Sequence, residues 1–316
     1  MCLTQPCQKA DHVDRHGGFT YCPAAERRGR DATLSVSIGN RRQSLPFALN
    51  LPMTSSARFE TKSAVITGGS RDWGMWERIV PTELKGDRAS QAILKIHLNR
   101  YEAAAKYAVG KNVLDIACGC GFGSQMLKNL GAASVVGVDL SPSTLEFARK
   151  NYAAEGVQYI EGDAEKFTWP TKFDVVASYE TLEHLPHPDQ FLARVHEALA
   201  PGGTFLLSVP LGETRHLDSF HLQVFEKEDI FRLFDQAGFT ILKFRIDPWR
   251  LSSFEMWRWN RMYPESRAPI RDLLFSVRGR MLLKAFFTGG FDMPQILVAA
   301  THKTPENAGR TPEPLV

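Results

Sequence analysis

Apolar positions recur in two rhythms along the 316-residue chain, and their alternation predicts its architecture. Short β-rich runs, several of them apolar throughout, lie at Val113–Ala117, Ser134–Leu140, Val157–Ile160, Phe173–Ser178, Thr204–Val209, Phe239–Ile246 and Gln295–Ala300. Parallel strands buried on both faces read this way. Between them apolar residues fall at three- and four-residue spacings, the mark of helices with one buried face. One helix is expected from Ala89 to Gly110, and another opens on the Ser141-Pro142 pair and stops near Gly156. "HPDQFLARVHEALAPGG" begins a helix after His187 and ends it at Pro201, Gly202 and Gly203, and "EKEDIFRLFDQAGF" is a further amphipathic helix closed by Gly238. This order predicts an α/β fold: an open, mostly parallel seven-stranded sheet with helices on both faces. Its ligand belongs beyond the C-terminal ends of the strands.

Three segments fall outside this rhythm. Residues 1–72 are rich in Arg, Gly, Pro, Ser and Thr without a sustained period and are expected to form a disordered N-terminal extension, with Met53 as an alternative start. Residues 73–303 then form one domain, entered through 73–110, and 248–292 interrupts it before the last strand as an insertion dense in Trp, Phe, Met and Arg. The Pro-rich stretch 304–316 is expected to be a flexible tail.

Composition narrows the classes without choosing among them. Apolar content of 43% suits a globular core, and a net charge of +3 falls far short of the dense basic patches that advertise nucleic acid. No run approaches the ~18 apolar residues that span a bilayer, and the first residues lack the apolar stretch of a secretory signal, so a cytoplasmic location is expected. Five cysteines, two of them one residue apart, suit free thiols in a reducing compartment. Cys2, Cys7 and Cys22 with His12 and His16 could be drawn as a zinc cluster, but no CxxC spacing supports it.

The run "VLDIACGCGFGS", Val113 to Ser124, carries the first chemistry. A Walker phosphate loop needs a Lys after its last glycine, and none follows Gly123. The dinucleotide pattern GxGxxG is half matched by Gly119 and Gly121, with Ser124 replacing the third glycine. Asp115 discriminates, because a carboxylate beside the loop disfavours a pyrophosphate and suits a ligand bearing ammonium and sulfonium charge. Cys118 and Cys120 lack nearby soft co-ligands and read as small packing residues. "VVGVDLS" then sets Asp139 at the second strand's tip, where an acid can accept both hydroxyls of a ribose, and "IEGDAEKF" sets Asp163 at the third.

These runs, with "FDVVASYETLEHL" and "ALAPGGTFLLSVP", resemble class I S-adenosylmethionine (SAM)-dependent methyltransferases over about Trp73 to Lys303. The resemblance implies a Rossmann-like sheet whose last strand is antiparallel. It also implies a SAM site formed by Asp115, Ala117, Gly119, Gly121, Asp139, Leu140, Asp163, Ala164 and Tyr179. Ala117 stands where many members have glycine, a departure read as mild because the position mainly needs a small side chain. "ERIVP" followed by "HLNRYEAAAKY" resembles the lead-in of methyltransferases of cell-surface polysaccharide and other secondary biosynthesis, which would make 73–110 a lid region in which His97, Arg100 and Tyr101 help close the pocket. A surface helix with Tyr101 packed down is the alternative.

On the acceptor side, Glu180, Glu183 and His184 stand at i, i+3 and i+4, one face if the segment is helical, and His216, Asp218 and His221 follow in the loop after the fifth strand. The ExxEH run with a later His is similar to the metal-binding set of small-RNA terminal 2′-O-methyltransferases, and ExxEH also resembles ubiquinone-pathway O-methyltransferases. Two alternatives stay open. Glu180, Glu183, His184 and His221 hold Mg²⁺ or Mn²⁺, or His184 or His221 is a metal-free base aided by Glu180. The function expected is O-methylation of a small-molecule, glycosyl or lipid-linked acceptor, with RNA 2′-O-methylation and a non-catalytic SAM-binding regulator as rivals. Trp249, Trp257 and Trp259 beside Arg250, Arg258 and Arg261 add an expectation of peripheral membrane contact through 248–292.

Overall fold

The computed structural model describes residues 33–38, 41–46, 79–81, 88–212, 220–252, 254 and 287–315. The chain divides into two compact units, Met1–Thr67 and Gly68–Val316. In the first, β1 (Thr33–Ile38) and β2 (Arg41–Pro46) pair antiparallel with Ile38 opposite Arg41. This hairpin lies inside the segment expected to lack regular structure. Its "TLSVSI" run alternates polar and apolar residues and precedes a turn-forming Gly39-Asn40 pair, a local signal too brief to register as a sustained period. The cysteines and histidines of the first 22 residues lie outside the described residues.

The second unit runs α1 (Arg88–Ala108), β3 (Asn112–Ile116), α2 (Phe122–Asn129), β4 (Ser134–Asp139), α3 (Pro142–Asn151), β5 (Val157–Glu161) and β6 (Phe173–Tyr179). After a 3-10 turn at Leu182–His184 come α4 (Pro188–Ala198), β7 (Leu199–Pro210), α5 (Lys227–Gln236) and β8 (Phe239–Asp247). The chain closes with β9 (Arg250–Leu251), β10 (Phe291–Asp292), β11 (Gln295–His302) and β12 (Glu313–Pro314). The main sheet has the order β12-β8-β11-β7-β6-β3-β4-β5. Strand β11 runs antiparallel to both β7 and β8, whereas β3 through β7 pair in parallel. From β3 the chain steps outward to β4 and β5, then crosses back to place β6 on the other flank of β3. The crevice at this reversal is where an open α/β sheet receives its ligand.

Alternation along each strand sorts the core into two faces. Leu114, Val176, Phe205 and Val298 meet Phe191, Leu192 and Val195 of α4 and Ile230 and Phe234 of α5. On the other face Val113, Val175, Leu206 and Leu297 meet Tyr101, Ala104 and Ala108 of α1 and Leu127 of α2. Ser141 caps α3 as expected, accepting a hydrogen bond from the Thr144 N–H.

Two expectations need correction. The sheet has eight strands, not seven, because the tail is not frayed throughout: Glu313 and Pro314 add to β8, and Leu315 is buried and donates its N–H to the Phe244 carbonyl. An apolar residue beside a Pro and an open strand edge is the reason. Of the insertion, 253 and 255–286 lie outside the described residues, including Trp257, Arg258, Trp259 and Arg261. Its neck is the β9–β10 pair, with Arg250 ion-paired to Asp292 at 3.2 Å. Among the described residues no helix is long and apolar enough to cross a membrane.

Candidate active site

Asp115 lies one residue inside the end of β3 rather than at its mouth, and is 1% exposed. The Ser124 hydroxyl donates to it at 2.6 Å and the Tyr101 hydroxyl lies 3.3 and 3.4 Å from its two oxygens. Burial raises this carboxyl to about 7; the hydrogen bonds from Ser124 and Tyr101 oppose the rise and the nearby Asp139 charge adds to it. Tyr101 packs edge-on against Phe122 and Tyr179 and lies so close to Gly123 that a Cβ there would sit 1.8 Å from its ring. Tyr101 is therefore packed down, with its hydroxyl against the buried acid. Ser124, read in the sequence as a missing glycine, is a donor to the buried acid.

The loop after β3 turns through three left-handed residues, Ala117 at φ 59°, Gly119 at 54° and Gly121 at 88°. Ala117 is thus not only a matter of size, since a left-handed alanine carries roughly 1–2 kcal/mol of backbone strain that glycine would avoid. Asp139 binds the loop from β4, accepting from the Gly119 N–H at 2.9 Å and the Ser141 N–H at 3.0 Å. Next to it Leu140 is 43% exposed at the strand tip. Asp163 follows β5. Burial would raise its carboxyl, but hydrogen bonds from Lys166 and the Glu165 N–H and the Lys166 charge outweigh this and hold it below its usual value. Ala164 packs half-buried against the core. Cys118 and Cys120 are buried and not disulfide-bonded, Cys120 reaching the Ile79 carbonyl at 3.0 Å.

At the end of β6 the expected helical face does not form. Glu180 is left-handed at φ 50° and only Leu182–His184 make a 3-10 turn, so Glu180 does not share a helical face with Glu183 and His184. Its carboxylate accepts from Ser208 Oγ and from Gln295 Nε2, each at 3.0 Å, and forms an ion pair with Arg100 at 3.0 Å. Arg100 also donates to the Gln295 side-chain carbonyl, and its own backbone carbonyl accepts from the Tyr179 hydroxyl. Burial, and then the Arg100 charge, hold the neighbouring His97 imidazole well below its usual pKa. The sequence did signal Arg100: it is in line with Ala104 and Ala108 on the buried face of α1, where a cation needs a partner.

Glu183, His184 and His221 do converge, with candidate ligand atoms all within 4.8 Å of one another. Glu183 is 1% exposed and its backbone carbonyl accepts from the Leu222 and Gln223 N–H groups, which fastens the His221 segment to the turn. The His184 and His221 rings meet edge-on at 4.8 Å. His184 Nδ1 lies 3.2 Å from the Phe220 carbonyl, which can only accept, so Nδ1 is the donor there, and Nε2 lies 3.9 Å from a Glu183 oxygen. Glu180 is not in this group, and His216 and Asp218 lie outside the described residues.

Residues 114–207 match the family described as a methyltransferase domain. The mitochondrial ubiquinone biosynthesis O-methyltransferase of Schizosaccharomyces pombe is 42% identical over 104 residues, which cover 31% of this chain and 38% of that protein. The phthiotriol/phenolphthiotriol dimycocerosates methyltransferase of Mycobacterium leprae is 35% identical over 119 residues, covering 36% and 44%. The chain thus aligns over less than half the length of these two relatives. Among solved structures, the YcgJ protein of Bacillus subtilis aligns at 16% identity and TM-score 0.53 over 66% of this chain and 100% of its own. The 4+2 cyclase SpnF aligns at 18% identity and 0.51 over 70% and 86%. Residues 114–207, from β3 into β7, are thus similar to methyltransferase domains, and the solved structures share the fold.

Proposed function

We propose that the chain transfers the methyl group of SAM to an oxygen of a small-molecule, glycosyl or lipid-linked acceptor. The observation that carries this reading is the pairing, at one end of the sheet, of a buried acid-and-glycine loop with two imidazoles, His184 and His221, that meet beside Glu183. In this reading the 117–121 loop with Asp115 and Tyr179 receives the methionine part of SAM, Asp139 and Leu140 the ribose, and Asp163 and Ala164 the adenine. Methyl transfer is an in-line displacement from a sulfonium that already carries its leaving group, so the protein mainly aligns and desolvates; alignment supplies up to ~7–11 kcal/mol in favourable systems. An acceptor hydroxyl must also lose its proton, and His184 Nε2 or His221 accepts it.

The Glu183, His184 and His221 donors also fit a hard-to-borderline cation such as Mg²⁺ or Mn²⁺, because one carboxylate and two imidazoles lie within 4.8 Å. Such an ion would supply Lewis acidity that lowers the acceptor hydroxyl's pKa. Glu180 is tied to Arg100, Ser208 and Gln295 instead, so the four-ligand set shrinks to three. That shrinkage weakens the likeness to RNA 2′-O-methyltransferases, and no observation favours the RNA reading or a non-catalytic regulator.

Calorimetry of SAM with the wild type and with Asp139→Ala tests the cofactor half. Loss of a charge-assisted hydrogen-bond acceptor should weaken binding by ~1.5–3 kcal/mol, and equal affinities would overturn the ribose assignment. Transfer of radiolabelled methyl to catechol and polyol-lipid probes, with and without EDTA, tests the acceptor half. Loss of transfer on chelation supports the ion, and unchanged transfer leaves the histidines as base. Peripheral contact of 248–292 with anionic lipid rests on its aromatic and Arg content, and absence of liposome co-sedimentation at low salt would remove it.

A further inference from the structure

The Arg100–Glu180–Gln295 cluster has chemistry that neither the cofactor half nor the acceptor half of the site uses. It brings a fully buried guanidinium, a carboxylate and an amide together from α1, the end of β6 and the start of β11. Each has complementary hydrogen-bonding groups, and Ser208 of β7 supplies a further donor. Glu180 also has left-handed backbone, which a non-glycine residue keeps only where the surroundings over-determine it, and its N–H is held by the Ser208 carbonyl. Immediately after it the chain enters the turn that presents Glu183 and His184. On α1 the next residue, Tyr101, reaches Asp115.

We propose that Glu180 is a positioning residue: clamped by Arg100, Ser208 and Gln295, it holds its own left-handed backbone and so sets where the Glu183–His184 turn stands relative to the cofactor loop. The proposal rests on the methyltransferase reading only for its catalytic consequence. Adjacent residues of one helix then grip the two halves of the site, Arg100 the acceptor rim and Tyr101 the acid beneath the glycine loop. Glu180 is the counter-ion of Arg100 rather than a ligand.

An exchange of groups separates this role from the alternatives. Glu180→Gln puts two amide NH₂ groups face to face and leaves Arg100 buried without a counter-charge. Adding Gln295→Glu restores every hydrogen bond with the carboxylate moved to β11. Three readouts are followed in the wild type, the single variant and the double variant: melting temperature, SAM affinity by calorimetry, and the NMR position of the His184 imidazole, assigned with His184→Gln. We expect Glu180→Gln to displace the His184 signal while SAM affinity stays within about twofold, and the double variant to return both signal and melting temperature to wild type. With the catechol probe, kcat should fall by about a hundredfold in the single variant with KM for SAM unchanged, the scale of a misplacement near 1 Å, and recover in the double. A His184 signal unmoved in Glu180→Gln, with only the melting temperature lowered, shows a merely structural ion pair and overturns the proposal. A double variant that regains stability and the His184 signal but not turnover makes Glu180 a group that touches the reaction, and overturns it equally. Wild-type protein that binds no SAM defeats the functional reading while leaving the His184 comparison to decide the clamp.

Discussion

At Asp115 a single side chain sets a pH dependence for the whole domain. Its carboxyl lies near 7 in the folded chain against 3.8 for the ordinary group, so folding takes up a proton between those values. The stability that this proton secures is full below the ordinary value and is lost as pH rises through 7, a difference on the order of 4 kcal/mol for about three pH units. Asp115→Asn, which keeps an acceptor for Ser124, should remove that slope. Thermal unfolding of both proteins between pH 5 and 8 checks it: the variant should gain on the wild type as pH rises, and parallel profiles would contradict the account. If Asp115 faces the cationic end of SAM, affinity for SAM should rise with pH over the same window in the wild type and not in Asp115→Asn.

Among the elements, β12 has the most direct consequence. Leu315, 5% exposed, closes one end of the second core face, and Glu313 and Pro314 cover the outer edge of β8. Leu315→Ala should destabilise the domain by ~2–5 kcal/mol, read as a lower denaturation midpoint with an unchanged slope in urea. This element was not legible in the sequence, because a two-residue strand beside Pro has no period of its own and exists only where β8 offers an unpaired edge. The strands of the sheet proper were legible, since burial on both faces makes them apolar throughout, as in "VLDIA" and "TFLLSV". So were the glycine loop, Asp139 and Asp163, whose spacing is local. The rim was half legible. His184 and His221 meet as expected, but Glu180 left its neighbours because one left-handed residue broke the i, i+3, i+4 geometry. Its true partners are Arg100 and Gln295, which lie 80 positions before it and 115 after it, beyond any local pattern. What the sequence could offer was the anomaly itself: a cation on the apolar stripe of α1, and a glutamine opening an otherwise apolar strand.

For the molecule as a whole, β8 and β11 are antiparallel neighbours with Asp247 opposite Gln295, so the chain leaves the sheet and re-enters it at adjacent points. The described ends of the insertion form a neck, the β9–β10 pair with its Arg250–Asp292 bridge. Loop closure depends only weakly on length, about 0.6 kcal/mol per doubling, so replacing 253–288 by a few Gly and Ser residues should leave the sheet and SAM affinity intact, changing stability by about 2 kcal/mol or less from closure alone. Far-UV circular dichroism and SAM calorimetry test that expectation, and the same variant should lose whatever lipid binding the wild type shows. A neck of this kind makes the stretch behind it an exchangeable cassette. Segments of other lengths could be spliced between Arg250 and Asp292 without redrawing the sheet, so that lineages sharing this domain would be free to vary this stretch while the strands around it stay fixed.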